Sequence, residues 1–216
     1  MNHASLRRAR WLAHPGGVRA PAALHDWLTT PGSLTARLVA HSRAFRVQKL
    51  RQGRAPCLAD EAAALGLARA QQVIEREVLL RCDGVAAVYG HTVVPLDADA
   101  GDWPLFSALG ERSLGTTLFH DPLVRRGALQ FARIRPGHPL LARMRAALGT
   151  AFDADATYYA RRCVYRRRQG LLMVTEVFLP AVLDLAPAAT TREARPAAIR
   201  TGNGDSGGAA PVTNTK

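Results

Sequence analysis

The stretch LLMVTEVFLP at residues 171–180 constrains this chain most. It is the most apolar run in the sequence, and its β-branched and aromatic residues have the composition of a strand. Apolar and polar residues do not alternate over residues 171–174, so the strand is expected to be covered on both faces. One carboxylate, Glu176, sits inside it. An ionised carboxylate in such a place costs several kcal/mol, in round numbers, unless it is paired or hydrogen-bonded. Glu176 therefore has a cationic partner, lines a polar cavity, or is turned to solvent near the strand end.

The strand before the first turn signal supplies a candidate partner. QQVIEREVLLRCDG at residues 71–84 and VAAVYGHTVVP at residues 85–95 flank Asp83-Gly84, a strong hairpin signal. Period 2 places Val73, Glu75, Glu77 and Leu79 on one face, and Ile74, Arg76, Val78 and Leu80 on the other. Arg76 thus shares a face with three apolar side chains. It either meets a carboxylate, in Glu176 or in an anionic ligand, or snorkels past its neighbours to an edge.

The rest of the chain reads as one antiparallel sheet with helices in separate blocks. FRVQKL at residues 45–50 is a strand ended by Arg51-Gln52-Gly53, and ALQFARIRP at residues 128–136 is another. Residues 156–180 form a hairpin turning at Gln169-Gly170. Leu24, Trp27 and Leu28 make a helical stripe, and Ser33 caps a helix from Leu34 to about His41. ADEAAALGLARA at residues 59–70 has helical propensity, weakened by Gly66. Residues 103–124 read as helix, loop, helix, with Gly110 stopping the first piece and Gly115 allowing close backbone approach near the second start. Residues 138–149 read as an amphipathic helix or a covering segment. The expected class is α+β, a single antiparallel sheet of about six strands with flanking helices. Residues 1–19 are an N-terminal arm, 20–185 the domain and 186–216 a disordered tail rich in Ala, Pro, Gly and Thr.

Composition excludes several classes. The net charge of +12 invites a nucleic-acid reading, but all except two of the 29 basic residues are arginine, Lys49 and Lys216 being the lysines. They are scattered apart from Arg7-Arg8-Ala9-Arg10 and the triplet Arg166-Arg167-Arg168, where a hairpin end should leave charge exposed. Such a field suits a small polyanionic substrate better than a nucleic acid. No apolar run approaches the roughly 18 residues that a membrane span needs, and no integral membrane segment is expected. Cys57, Cys82 and Cys163 are an odd set without metal spacing, which fits free thiols in a reducing cytoplasm. The seven histidines are dispersed, and no metal site is expected.

Five segments together carry a family resemblance: SLT at 33–35, EREVLLRCDG at 75–84, GHTVVP at 90–95, LGERSLGTTLF at 109–119 and TEVFLP at 175–180. In order and spacing the chain resembles chorismate lyase, the chorismate–pyruvate lyase of bacterial ubiquinone biosynthesis, over roughly residues 20–183. The resemblance implies a cofactor-free, cytoplasmic, monomeric enzyme with chorismate as substrate and 4-hydroxybenzoate as product. It implies a ligand site built from Leu34, Arg76, Leu114 and Glu176, with Arg76 and Glu176 catalytic. Leu34 stands where a better-known member has methionine. The alternatives are a non-catalytic ligand-binding domain of the same fold, as in bacterial transcription regulators, or a related lyase giving 3-hydroxybenzoate.

Overall fold

The computed structural model describes residues 8–67, 71–98, 101–104 and 106–185. The tail expected to be disordered, residues 186–216, lies outside the described residues. So do the first seven residues of the arm.

Seven strands form one antiparallel sheet: β1 Phe45–Pro56, β2 Gln72–Cys82, β3 Val85–Pro95, β4 Val124–Arg126, β5 Gln130–Ile134, β6 Tyr158–Arg167 and β7 Gly170–Phe178. Their spatial order is β1-β2-β3-β7-β6-β4, with β5 also paired to β6. The helices are α1 Ala22–Thr29, α2 Leu34–Ala40, α3 Ala59–Ala64, α4 Leu114–His120 and α5 Pro139–Leu148. None of the described helices is long and apolar enough to cross a membrane.

The sheet is covered on both sides, as the run at 171–180 requires. On the front, α1 and α2 insert Leu24, Trp27, Leu28, Leu34 and Leu38 against Val47, Leu80, Val88 and Phe178. Burying each such side chain contributes roughly 1.5–3 kcal/mol. A second front cluster gathers Trp103, Phe106, Leu109 and Leu118 over Val94, Cys163, Tyr165 and Leu172. On the back, Leu140 and Met144 of α5 pack on Leu79, Tyr89, Ala160 and Val177, while Ala62 of α3 packs with Val73, Val93 and Met173. Trp11 and Leu12 also reach the domain. The Trp11 indole N–H donates to Asp60 at 2.8 Å, its ring lies under Arg162, and Leu12 bridges Phe131.

Several local expectations change. β1 continues through Arg51-Gln52-Gly53 to Pro56, because a bulge between Lys49 and Arg51 lets pairing with β2 resume. The helix from residue 59 stops at Ala64, with Gly66 at φ +70° just beyond it. Within the first piece of 103–124, residues 106–113 form turns rather than a helix. Their carbonyls at Phe106, Gly110 and Arg112 accept hydrogen bonds from Gln52 and Arg76. The last hairpin turns at Arg168–Gln169, one residue earlier than expected, with Arg168 at φ +51°. Gly170 pairs with Arg167 inside the ladder, and its missing side chain makes room for Asp102: a Cβ there would lie 2.5 Å from the Asp102 Cβ. Arg167 is not solvated at this end but donates to Asp121 at 2.7 Å.

The other turn behaves as its residues dictate. Asp83 and Gly84 both take positive φ, and β2 pairs with β3 across them. That register carries Arg76 to the front of the sheet, opposite Thr92, and Glu75 and Glu77 to the back.

Candidate active site

A cavity lies on the front of the sheet between its two apolar clusters, with about 590 Å³ of space free of protein atoms, its mouth included. Leu34, Arg76, Leu114 and Glu176 all line it, so the four residues singled out from sequence meet at one place. A larger depression beside α5 and β5 is lined by Arg133, Arg145 and Phe152 and contains none of them.

The cavity floor is a row of paired strands. Val78, Gly90, Glu176 and Arg161 stand side by side across β2, β3, β7 and β6. Gly90 keeps the floor low: a Cβ on it would sit 2.9 Å from Val78 Cγ2. The roof is made by the starts of α2 and α4. Ser33 caps α2 by accepting from the Ala36 N–H at 3.3 Å. Thr35 Oγ1 and Ser113 Oγ lie 2.6 Å apart, joining the two helix starts. Gly115 permits that approach, since a Cβ there would come within 3.0 Å of Thr35 Oγ1. The first amides of a helix have no intrahelical acceptor, so both starts present donors suited to an anion.

Arg76 is buried at 2% exposure and has no carboxylate partner among the described residues. Its Nη1 donates to Gln52 Oε1 at 2.8 Å, and Nη2 donates to the carbonyls of Gly110 at 2.9 Å and Arg112 at 3.2 Å. Burial lowers its pKa, yet a guanidinium stays charged, so Arg76 is a cation held only by neutral acceptors. Snorkelling to an edge does not occur.

Glu176 does find a cationic partner in protein, and it is Arg161 rather than Arg76. Arg161 Nε donates to Glu176 Oε2 at 2.5 Å. Sequence reading missed Arg161, because its place opposite Glu176 depends on the register of the last hairpin. A turn at Arg168–Gln169 puts Arg161 opposite Glu176, whereas the turn expected one residue later would have set Cys163 there. Tyr165 completes the polar wall. Burial and the nearby Glu176 charge raise its pKa, so it presents a neutral phenol. Three arginines, Arg76, Arg112 and Arg161, and one glutamate line this cavity. That excess of positive charge in a cleft suits an anionic ligand.

The back of the same strands also concentrates charge. Glu75, Glu77 and His91 lie close enough together to suggest a metal site. The Arg143 guanidinium occupies that position, donating to Glu75 at 2.6 Å and Glu77 at 2.7 Å. Glu61 faces His91 Nε2 at 2.9 Å, and Arg51 reaches Glu75 at 3.2 Å. Burial alone would lower the His91 pKa. The Glu61 charge, with contacts to Glu61 and Glu77, outweighs it and raises the value to about 9. The protonated imidazolium then balances the group.

Known proteins match this sequence closely. The sequence profile of the family described as Chorismate lyase matches residues 5–186. A probable chorismate pyruvate-lyase of Cupriavidus metallidurans is 48% identical over 180 residues, 83% of this chain and 84% of that one. One from Ralstonia nicotianae is 51% identical over 162 residues, 74% of this chain and 83% of that one. Among solved structures, the effector domain of PhnF from Mycobacterium smegmatis overlaps with a TM-score of 0.49 at 19% identity, covering 69% of this chain and 89% of that one. An overlap of that size bears neither on fold nor on function.

Proposed function

The chain belongs to the chorismate lyase family, a family of carbon–oxygen lyases, and from that premise we propose that it eliminates pyruvate from chorismate to give 4-hydroxybenzoate, the first committed step of ubiquinone biosynthesis, in the cytoplasm. The observation that carries the reading is the cavity on the front of the sheet. It is rich in arginine and lined by one glutamate and two helix starts.

Chorismate is a dianion with a ring hydroxyl and an enolpyruvyl ether. In the elimination the ether C–O bond breaks, the ring carbon bearing the hydroxyl loses its hydrogen, and the enolpyruvyl methylene gains a proton. The products are an aromatic ring and pyruvate. Atoms and electrons balance without an external oxidant, and aromatisation supplies the driving force. The protein's part is to hold two carboxylates, exclude water and fix the geometry.

Each lining residue has a task suited to it. The amides at the starts of α2 and α4, at Leu34 and Leu114, hold the ring carboxylate. Arg76, lacking a protein carboxylate, makes a charge-assisted bond to the enolpyruvyl group, stabilising negative charge as its oxygen departs. Glu176 accepts from the ring hydroxyl. The aliphatic walls at Val47, Val78, Leu80 and Leu118 enclose the ring.

Incubation of the purified protein with chorismate, with products separated by chromatography, tests this directly. Equal amounts of 4-hydroxybenzoate and pyruvate are expected. 3-Hydroxybenzoate would change the product, and ligand binding without turnover would make the protein a binder.

A further inference from the structure

Among the described residues Arg161 is the largest side chain with under 2% of its surface accessible, and it sits between two parts of the proposed site. Its Nε donates to Glu176 Oε2 at 2.5 Å. Its Nη1 donates to the carbonyls of Thr30 at 3.0 Å and Leu28 at 3.3 Å, with Trp27 at 3.5 Å. Those carbonyls end α1, where the helix dipole favours a cation. Thr30 lies only four residues before Leu34, the start of α2 and part of the cavity roof. One planar guanidinium therefore touches the floor of the cavity through Glu176 and the approach to its roof through Thr30.

Glu176 has no other partner in the described protein. Its side chain is 21% exposed and its remaining oxygen, Oε1, has no protein donor. Without Arg161 the carboxylate would have no fixed rotamer on the cavity side. With it, Oε2 is anchored and Oε1 is left for ligand. A lysine could supply charge to one of these two sets of acceptors, but its single ammonium cannot reproduce a fork that serves both.

We infer that Arg161 is a positioning residue for the reaction: it sets the orientation of Glu176 and ties it to the segment that leads into Leu34. This rests on the chorismate lyase reading given above. It differs from a purely structural role in acting through Glu176, so the two residues should be energetically coupled in catalysis.

A double-mutant cycle on the full chain separates the cases. Arg161→Gln, Glu176→Gln and the double variant are compared for kcat and KM with chorismate, for 4-hydroxybenzoate affinity by calorimetry and for melting temperature. Each single change is expected to lower kcat/KM at least about tenfold, with the double variant no worse than Glu176→Gln alone. Arg161→Lys, which keeps a cation for the helix carbonyls, is expected to restore the melting temperature but only part of kcat. If Arg161→Gln does not fold, the same cycle is run with Arg161→Lys. Additive losses, or full kcat in Arg161→Lys, overturn the inference while leaving the lyase reading intact. A wild-type protein that neither turns over chorismate nor binds 4-hydroxybenzoate overturns that reading and the inference with it.

Discussion

The two faces of the central hairpin β2–β3 bury charge to opposite ends. On the back, Glu61, Glu75 and Glu77 meet Arg51, Arg143 and His91, and the charges close on one another. On the front, Arg76 has only an amide oxygen and carbonyls, and three arginines and one glutamate line the cavity. Burying a charge with its counter-ion makes an internal fastening, whereas burying a charge with neutral acceptors leaves its field available to a ligand. Adjacent residues of one strand, Glu75 and Arg76, fall on the two sides of this distinction because successive side chains alternate faces.

If the back is a fastening, breaking it should cost stability. Arg143→Ala leaves Glu75 and Glu77 buried without their principal cation, and a loss of about 3 kcal/mol is expected from urea unfolding, with activity of the folded fraction retained.

Alkaline pH should loosen the same group. The folded pKa of His91 is raised from 6.5 to about 9, so its contribution is complete below about pH 6.5 and is lost as pH rises through about 9. A loss on the order of 2 kcal/mol across that window is expected, absent in His91→Gln, when unfolding midpoints are compared at the two ends.

The front should respond the other way, in rate rather than stability. Arg76→Ala and Glu176→Ala are each expected to lower turnover of chorismate at least about tenfold, near 1.4 kcal/mol in the barrier, with smaller effects on unfolding than Arg143→Ala. Wild-type rates in both would move the site elsewhere.

The smallest expected effect concerns the arm on the back. Burial would raise the Asp60 pKa, but the bonds from His138 and the Trp11 indole bring it down to about 2. Its stabilisation is therefore present above about pH 3.8 and lost as pH falls toward about 2. Trp11→Phe removes one of those bonds and should cost about 1 kcal/mol at neutral pH, read as a lowered unfolding midpoint.

Much of the fold is legible in local chemistry. Asp83-Gly84 forces the β2–β3 turn, Ser33 caps α2, and the stripe Leu24, Trp27, Leu28 is buried. Period 2 placed Arg76 among apolar neighbours, the apolar run at 171–180 singled out Glu176, and the resemblance carried by the five short segments brought Leu34 and Leu114 into view beside them. What escaped reading depended on contacts distant in sequence. The turns of residues 106–113 are held by side chains of Gln52 and Arg76 rather than by a helical ladder, and nothing local announces that.

The sequence by itself determined that a carboxylate and an arginine would stand among apolar neighbours in strands, since alternation and composition are properties of neighbouring residues. Only the tertiary structure decided their partners. Asp102 takes the space that glycine leaves at position 170, the turn sits at Arg168–Gln169, and register then sets Arg161 rather than Cys163 against Glu176. A one-residue shift in a turn re-pairs every position along a ladder, so the identity of a cross-strand partner is a decision of packing.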